Sequence, residues 1–319
     1  MKAIIQHRYG STDTLALNDI DRPAPGRGQV LVRVRAAGIG PDVSHLMTGK
    51  PYLLRLMGFG LRRPRVAVRG RDVAGVVEAV GPGVSRLAPG EEVFGTCEGS
   101  LAEYAVAEEG LLARKPTNLS FEEAAAVPIS GGTALQGLRD VHKGQRVLII
   151  GAGGGVGTFA VQIAASRGAR VTGVCGPAKL DMVRSLGAER VIDYTAEDIT
   201  AAGHHDFVLD TAGCRKLRHL RRALTPKGTL VIVGGENGGK WVGGIDRTLR
   251  AALWSPFVGQ RLRGLISTER AEDFDELREL IESGAVAPVL GRTFPLEQAA
   301  EAIDHVHKGH TAGKVVVTV

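Results

Sequence analysis

The sequence predicts an α/β fold in which a doubly wound parallel sheet follows a β-rich N-terminal region. The four apolar residues Val147 to Ile150 are too short a run for a helix and suit a buried parallel strand. A glycine-rich turn follows, then a helical pattern from Val156 to Ser166 and a second strand from Arg170 to Val174. Residues 1 to about 120, in contrast, alternate or run apolar between Gly/Pro turns, as strands do.

The turn Gly151–Gly157 reads GAGGGVG and joins the first of these strands to the helix. In a right-handed βαβ unit, such a turn lies at the carboxyl end of the strand, where the helix begins. Glycines let the backbone approach a pyrophosphate, and the unpaired N–H groups of the helix attract its charge. In this context the pattern predicts a dinucleotide-binding site rather than merely a tight turn.

The residues after the second strand bear on which dinucleotide binds. An NAD-selective site has a carboxylate about 20 residues after the glycine turn, which accepts from the ribose 2′-hydroxyl. Residues 174–177 of this chain contain no acid, whereas Lys179 and Tyr194 follow and can bind a 2′-phosphate. In the alternative interpretation, Lys179 is a solvated helix residue and Tyr194 a packing aromatic. The pattern favours NADPH over NADH.

Length and composition narrow the class of protein. A chain of 319 residues is long for one domain, so we expect two. No apolar run reaches the length of a membrane span, and Met1–Ile5 resembles the start of a strand rather than a signal peptide. We therefore expect a cytoplasmic protein. Cysteines 97, 175 and 214 are too few for a disulfide framework, and we expect them to be buried apolar residues.

The net charge of +6 raises the question of an acidic partner. The arginines are mostly scattered and no aromatic-and-basic recognition element accompanies them, so we do not expect nucleic acid to bind. Affinity for phosphate-bearing cofactors and substrates explains the charge more simply.

The remaining chain continues the alternation of strands and helices. Ser120 is a good N-cap with Glu123 completing a capping box, and the β/α alternation lasts to about residue 267. The tail is predicted to form helices at Ala271–Glu282 and Gln298–Val306 before a last strand. His204 and His205 are expected in a loop or at a helix end.

A set of short motifs spans essentially the whole chain. They are GRDVAGVV at 70–77, GEEVFG at 90–95, GSLAEY at 99–104, AVPIS at 126–130, the glycine turn, SLGA at 185–188, VIDY at 191–194 and GHTAGKVV at 309–316. With these motifs the chain resembles a zinc-independent, quinone oxidoreductase-type member of the medium-chain dehydrogenase/reductase superfamily. The resemblance implies a GroES-like catalytic domain at 1–120, a Rossmann NADP(H)-binding domain at 121–267 and a C-terminal segment at 268–319 that completes the catalytic domain, with the active site in the cleft.

The resemblance also implies which residues contact NADPH. The residues that match the pyrophosphate contacts of relatives are Gly154, Gly155 and Val156. Those that match the 2′-phosphate contacts are Lys179 and Tyr194. Those that match the contacts on the nicotinamide side are Thr133, Val233, Gly234 and Leu265. Gly176 stands where NADPH-using relatives carry a serine that helps to bind the 2′-phosphate, and His310 lies in a tail segment that reaches the cofactor. Relatives are often homodimers joined through an edge strand near residues 261–267.

The positions of the zinc ligands predict a reaction without a metal. Zinc-containing relatives carry a cysteine where this chain has Gly40 and a His-Glu pair where it has Arg71-Asp72, so we expect no catalytic zinc. Reduction of an unactivated ketone develops alkoxide charge that zinc would stabilise. A quinone or an α,β-unsaturated carbonyl compound spreads that charge by conjugation. We therefore predict NADPH-dependent reduction of such an acceptor, with the hydride supplied by the cofactor.

The proton donor and the acceptor remain open at this point. His45 falls where zinc alcohol dehydrogenases place a proton-relay histidine, but it also suits a surface or capping histidine. Tyr52 is a second candidate, or else lines the pocket. One alternative function is an enoyl-thioester reductase, with Arg62, Arg63 and Arg65 meeting a CoA or phosphopantetheine phosphate. Another is an NADPH-binding regulatory or nucleic-acid-binding protein with vestigial catalysis.

Overall fold

The computed structural model describes residues 1–233, 239, 241–309 and 311–319. Its strands are β1 (Lys2–Ile5), β2 (Ala16–Asp19), β3 (Gln29–Ile39), β4 (Asp72–Val80), β5 (Glu92–Thr96), β6 (Tyr104–Glu108), β7 (Leu112–Arg114), β8 (Arg146–Ile150), β9 (Arg170–Cys175), β10 (Arg190–Asp193), β11 (His205–Asp210), β12 (Leu224–Ile232), β13 (Arg261–Gly264), β14 (Leu290–Pro295) and β15 (Lys314–Thr318). Its α-helices are α1 (Pro41–Thr48), α2 (Phe121–Ala125), α3 (Pro128–Gly137), α4 (Gly155–Ser166), α5 (Leu180–Ser185), α6 (Leu217–Arg222), α7 (Ile245–Trp254), α8 (Ala271–Glu282) and α9 (Ala299–His307).

The chain divides into two compact units. The first comprises Met1–Gly132, Glu269–Gly284 and Pro288–Val319, and the second comprises Thr133–Thr268 and Ala285–Ala287. In the first unit, the main sheet runs in the order β14-β15-β3-β4-β5-β7, with β6 also paired to β3. Only β14 and β15 pair in parallel; the other neighbours are antiparallel. This is the GroES-like, β-rich architecture that the sequence predicted.

The core of the first unit joins the N-terminal strands to the C-terminal segment. Ile39 on β3 and Val317 on β15 belong to one buried cluster with Phe294 and with Ile303 of α9. A second contact places the rings of Phe94 and Phe274 5.9 Å apart between their centroids. The tail therefore completes the core of this unit, because its apolar faces are buried against strands formed far earlier in the chain.

The second unit is a parallel sheet in the order β10-β9-β8-β11-β12-β13. Numbered from β8, this is the 3-2-1-4-5-6 order of a doubly wound dinucleotide-binding sheet. Val147, Leu148, Ile149 and Ile150 of β8 are completely buried at the centre, as their unbroken apolar run predicted. The Rossmann prediction is confirmed.

Several local predictions can be compared directly with the structure. The capping box of Ser120 and Glu123 is present at the start of α2, and α8 has the predicted bounds. The second tail helix, α9, runs one residue later than predicted at each end. Within the described residues, no helix combines the length and the apolar character that crossing a bilayer requires.

Two predictions about individual residues are wrong. His205 is the buried first residue of β11 rather than part of a loop, because its backbone N–H donates to the carbonyl of Ala223 and fixes the start of the strand. Cys214 is exposed rather than buried, since it lies on the surface after β11 and contributes to no strand. Cys97 and Cys175 are buried as predicted.

Candidate cofactor and substrate site

The glycine turn after β8 has a conformation that larger residues could not adopt. A Cβ atom on Gly157 would lie 2.0 Å from the carbonyl oxygen of Gly151 and 2.7 Å from Cα of Ala152. Gly151 itself has a φ of +85°, and a Cβ there would lie 2.5 Å from Oγ1 of Thr211. The first turn of α4 therefore packs directly on the end of β8, which requires glycine at both positions.

The N-terminus of α4 presents backbone donors with no side-chain cap. Its N-cap residue, Gly154, has no side chain to accept from the first N–H groups of the helix. Gly155 and Val156 are the first two helical residues, so their N–H groups lie at the positive end of the helix dipole. Such an N-terminus suits a pyrophosphate, and the glycine cradle provides the close backbone approach. These residues fit a dinucleotide.

Lys179 and Tyr194 border this same turn. A Cβ atom on Gly153 would lie 2.6 Å from Cδ of Lys179, so the lysine side chain packs against the glycine turn. A Cβ on Gly176 would lie 3.4 Å from the hydroxyl oxygen of Tyr194. Burial lowers the pKa of the Lys179 ammonium, as expected for a cation held close to the backbone. The structure thus places a cation against the glycine turn and a phenol beside Gly176, at the end of the next strand.

The carboxyl edge of the sheet carries the residues expected on the nicotinamide side. The backbone N–H of Val233 donates to Asp210 just after β12, and that of Leu265 donates to Ile232 just after β13. Thr133 is buried in α3. Gly234 and His310, which complete the predicted set, lie outside the described residues.

Sequence reasoning missed an ion pair at this edge. Asp210, the last residue of β11, is completely buried, and its carboxylate accepts from Arg247 of α7 at 2.5 Å. Its second oxygen accepts from the backbone N–H of Gly213 at 3.3 Å. The sequence signal for this pair was Asp210 itself, an ionisable residue at the end of an apolar strand. A buried carboxylate needs a partner, so its position indicates that a cation or donor lies nearby. The pair holds α7 and the turn after β11 at the carboxyl edge.

In the first unit, the residues at the zinc-ligand positions do not fit a metal ion. Gly40 has no side chain, and a Cβ there would lie 3.6 Å from the Lys314 ammonium. Arg71 forms an ion pair with Glu269 at 3.0 Å, and Asp72 is paired with Lys314 at 2.8 Å. Glycine and arginine thus stand where relatives supply the thiolate and imidazole donors that zinc requires, although the carboxylate of Asp42 lies closer to Gly40 than Lys314 does. Among the described residues there is no cluster of three or more potential His, Cys, Asp or Glu ligands.

His45 and Tyr52 lie in neighbouring segments of the first unit. His45 is in the last turn of α1, and its Nδ1 lies 3.0 Å from the carbonyl oxygen of Lys50. Because a carbonyl only accepts, Nδ1 carries the proton there and Nε2 is the acceptor of the neutral ring. Tyr52 packs against Arg55, whose guanidinium carbon lies 4.8 Å from the ring centroid.

Comparison with known families agrees with this two-part architecture. The family described as alcohol dehydrogenase GroES-like domain matches residues 26–117, and the family described as zinc-binding dehydrogenase matches residues 186–317. A chloroplastic NADPH-dependent alkenal/one oxidoreductase from Arabidopsis thaliana is 34% identical over 99% of this chain and 79% of its own length. The chain belongs to the medium-chain dehydrogenase/reductase superfamily.

Solved structures of this superfamily share the fold. The quinone oxidoreductase from Coxiella burnetii has a TM-score of 0.87 and 28% identity, and the match covers 100% of this chain and 99% of that one. The CurK enoyl reductase has a TM-score of 0.84 and 25% identity, covering 99% and 98% respectively. Zinc appears in the name of one matched family, whereas positions 40 and 71 of this chain are glycine and arginine.

Proposed function

We propose that this protein is an NADPH-dependent oxidoreductase that delivers hydride to a quinone or to an α,β-unsaturated carbonyl compound. The observation that carries the proposal is the glycine turn of the second unit, with Lys179 packed against Gly153 and Tyr194 beside Gly176. The similarity to an NADPH-dependent alkenal/one oxidoreductase and to a quinone oxidoreductase supports it.

Each part of the turn has a role in holding NADPH. Gly154, Gly155 and Val156 bind the pyrophosphate through backbone N–H groups, and Gly176 leaves space beside Lys179 and Tyr194 for the 2′-phosphate. Thr133, Val233, Gly234, Leu265 and His310 complete the proposed contacts. When bound, NADPH supplies the hydride, and the protein supplies orientation and a site from which water is excluded.

The choice of acceptor follows from the residues at Gly40 and Arg71. These residues provide no Lewis acid, so negative charge that develops on the substrate oxygen has to be stabilised by hydrogen bonds or spread by the substrate itself. A conjugated acceptor spreads the charge, and a simple ketone does not. His45 and Tyr52 are the proposed proton donors; because Nδ1 of His45 donates to the carbonyl of Lys50, His45 would donate from Nε2 of its protonated ring.

A comparison of acceptors tests this proposal. Oxidation of NADPH is followed with 1,4-benzoquinone and with 2-alkenals, and reduction of NADP⁺ is followed with simple alcohols. We expect turnover with the conjugated acceptors and little with alcohols. Exclusive oxidation of alcohols, or no binding of NADPH in a titration, would overturn it.

The similarity to the CurK enoyl reductase favours one second candidate, reduction of an enoyl thioester. Arg62, Arg63 and Arg65 are exposed on the first unit and could meet the phosphates of a CoA or phosphopantetheine carrier. Crotonyl-CoA and the ethyl thioester of crotonate separate the two functions. The thioester function is supported if the KM for crotonyl-CoA is micromolar and rises when Arg62, Arg63 and Arg65 are all changed to Gln. Equal KM values for crotonyl-CoA and the ethyl thioester contradict it.

We also propose a homodimer formed at the edge of the second unit. Strand β13 is the edge of the six-stranded sheet, so its outer backbone groups are available to pair with another strand. Large apolar side chains close to it in the chain are exposed: Leu253 by 68%, Phe257 by 88% and Ile266 by 79%. Light scattering is expected to give the mass of a dimer, and Phe257→Asp to shift it towards a monomer. Leu61→Asp, on an exposed site of the first unit, is the control.

The proposed location is the cytoplasm. All three cysteines are free thiols, as is usual for proteins of reducing compartments. Fractionation of the source cells with antibodies against the protein tests this location, and recovery in an oxidising compartment would contradict it.

A further inference from the structure

The first unit contains a cavity of about 260 Å³ between the segment after α1 and the start of β4. Most of its wall is apolar. The apolar side chains that line it are Val43, Leu46, Met57, Phe59, Val66 and Val68. A cavity of this size and character suits a small organic molecule with an apolar body.

A buried arginine also lines this cavity. Arg69 is only 5% exposed, and its Nε has no hydrogen-bond partner within the described structure. One terminal nitrogen donates to the carbonyl oxygen of Leu46 at the long distance of 3.4 Å. No ion pair to a carboxylate neutralises Arg69 in the described part of the chain. A buried guanidinium without a carboxylate partner is costly, so an anion in the cavity that accepts from its terminal nitrogens would be strongly favoured.

The guanidinium remains charged in this position. Burial lowers the pKa of Arg69 to about 10, and the neighbouring Tyr9 and Glu98 oppose that effect. At neutral pH the side chain is therefore a cation. Its backbone is fixed, because its N–H donates to Ile4 at 3.0 Å and its carbonyl accepts from Leu101 at 2.9 Å. The charge is held in place before any ligand arrives, which reduces the entropy that binding would cost.

The other charged residues around the cavity leave it cationic. Arg65 and Arg71 also line it, against the single carboxylate of Glu98. Arg71 is paired with Glu269 at 3.0 Å, so its charge is already compensated. Arg69 is the charged side chain that combines burial with an unpaired donor. An anion with oxygen acceptors is the complementary ligand.

We infer that this cavity binds the carboxylate of a small, acidic conjugated acceptor, with Arg69 as its hydrogen-bonding cation. This inference rests on the proposed function for the identity of the reacting group, which is an enone or enal. The apolar walls contact the hydrocarbon part of the substrate, and the carboxylate accepts from the terminal nitrogens of Arg69. The site therefore selects acidic over neutral acceptors of the same size.

The kinetic test compares an enone that ends in a carboxylate, 6-oxohept-4-enoate, with its methyl ester. For the wild type we expect kcat/KM to favour the acid by about tenfold or more, the usual effect of a charge-assisted hydrogen bond. Arg69→Met is expected to remove this preference mainly through KM. Arg27→Met removes an exposed charge of the first unit outside the cavity and is expected to keep the preference.

A binding experiment gives a readout that does not depend on turnover. Pentanoate and pentanamide are titrated by calorimetry into the protein without NADPH. Pentanoate is expected to bind, with an affinity reduced about tenfold or more by Arg69→Met. Pentanamide is expected to bind weakly and equally to both proteins. Two further variants replace Arg69→Met if that protein does not fold. Arg69→Lys keeps a cation, and Val66→Trp fills the cavity beside an unchanged Arg69.

The two experiments separate this inference from the proposed function. One pair of results overturns the inference and leaves the proposed function intact. In that case enones are turned over without a preference for the acid, and Arg69→Met and Val66→Trp bind pentanoate as tightly as the wild type. Arg69-dependent binding of pentanoate without NADPH oxidation by any conjugated acceptor supports the carboxylate site and overturns the function.

Discussion

The ammonium nitrogen of Lys314 lies 2.8 Å from Oδ2 of Asp72, and both side chains are almost completely buried. The other oxygen of Asp72 accepts from the backbone N–H of Ile129 at 2.9 Å. One carboxylate thus ties the last strand, β4 and the start of α3 together. In a member of a dehydrogenase superfamily, this pair lies beside Gly40, where zinc-containing relatives bind their metal.

Breaking this pair is expected to destabilise the fold strongly. Lys314→Met leaves a buried carboxylate without its cation, and we expect the free energy of unfolding to fall by about 3–5 kcal/mol. Asp72→Asn is expected to act similarly, whereas the double variant loses less than the sum of the two. Denaturant unfolding measures all three. Lys308→Met, in the exposed pair with Asp304, is the control and should change stability little.

The glycine turn gives a second prediction. Gly157→Ala places a methyl group 2.0 Å from the carbonyl oxygen of Gly151, so the first turn of α4 has to move away from β8. We expect loss of NADPH binding, measured by quenching of protein fluorescence, together with a lower melting temperature. Gly110→Ala, where no atom lies within 4 Å, should change neither. Unchanged NADPH affinity in Gly157→Ala would remove the turn from the proposed cofactor site.

Selectivity between NADPH and NADH tests the proposed 2′-phosphate contacts. Lys179→Met is expected to raise the Kd for NADPH about tenfold or more while leaving that for NADH nearly unchanged, because only NADPH carries the phosphate. Tyr194→Phe removes one hydroxyl and is expected to have a smaller effect in the same direction. Lys227→Met alters an exposed lysine of the same unit and serves as the control. An equal loss of affinity for both cofactors would contradict the assignment.

Buried His205 makes stability depend on pH. Burial lowers its pKa below the usual 6.5, so the folded protein prefers the neutral ring. Its contribution to stability is therefore complete above pH 6.5 and is lost as the pH falls through that value towards the lower folded pKa. Between pH 7 and 5, His205→Asn is expected to lose less stability than the wild type. The exposed neighbour His204, changed to Asn, should keep the wild-type slope.

The residues beside Gly40 predict insensitivity to chelators. Gly40 and Arg71 supply no thiolate or imidazole donor, so we expect full activity after dialysis against EDTA and no stoichiometric zinc by mass spectrometry. Loss of activity on chelation that added zinc restores would show that a metal binds elsewhere and acts in the reaction.

Much of the cofactor site could be predicted because its signals are local. The run from Val147 to Ile150, the glycines that follow and the helical spacing after them all fall within about one supersecondary unit. Lys179 and Tyr194 also follow closely enough for the βαβ order to place them beside the turn. Arg69 shows the opposite case, because the sequence around it gives no sign that its guanidinium is buried and unpaired.

The sequence by itself determined the parallel sheet and the position of the glycine turn, since each depends on residue type or on neighbours along the chain. Only the tertiary structure decided that Lys314 meets Asp72 across 242 residues, that Asp210 meets Arg247, and that Arg69 faces a cavity. The physical reason is that hydrophobic spacing and backbone conformation act over a few residues. Partners of buried charges, in contrast, are set by how whole strands and helices pack.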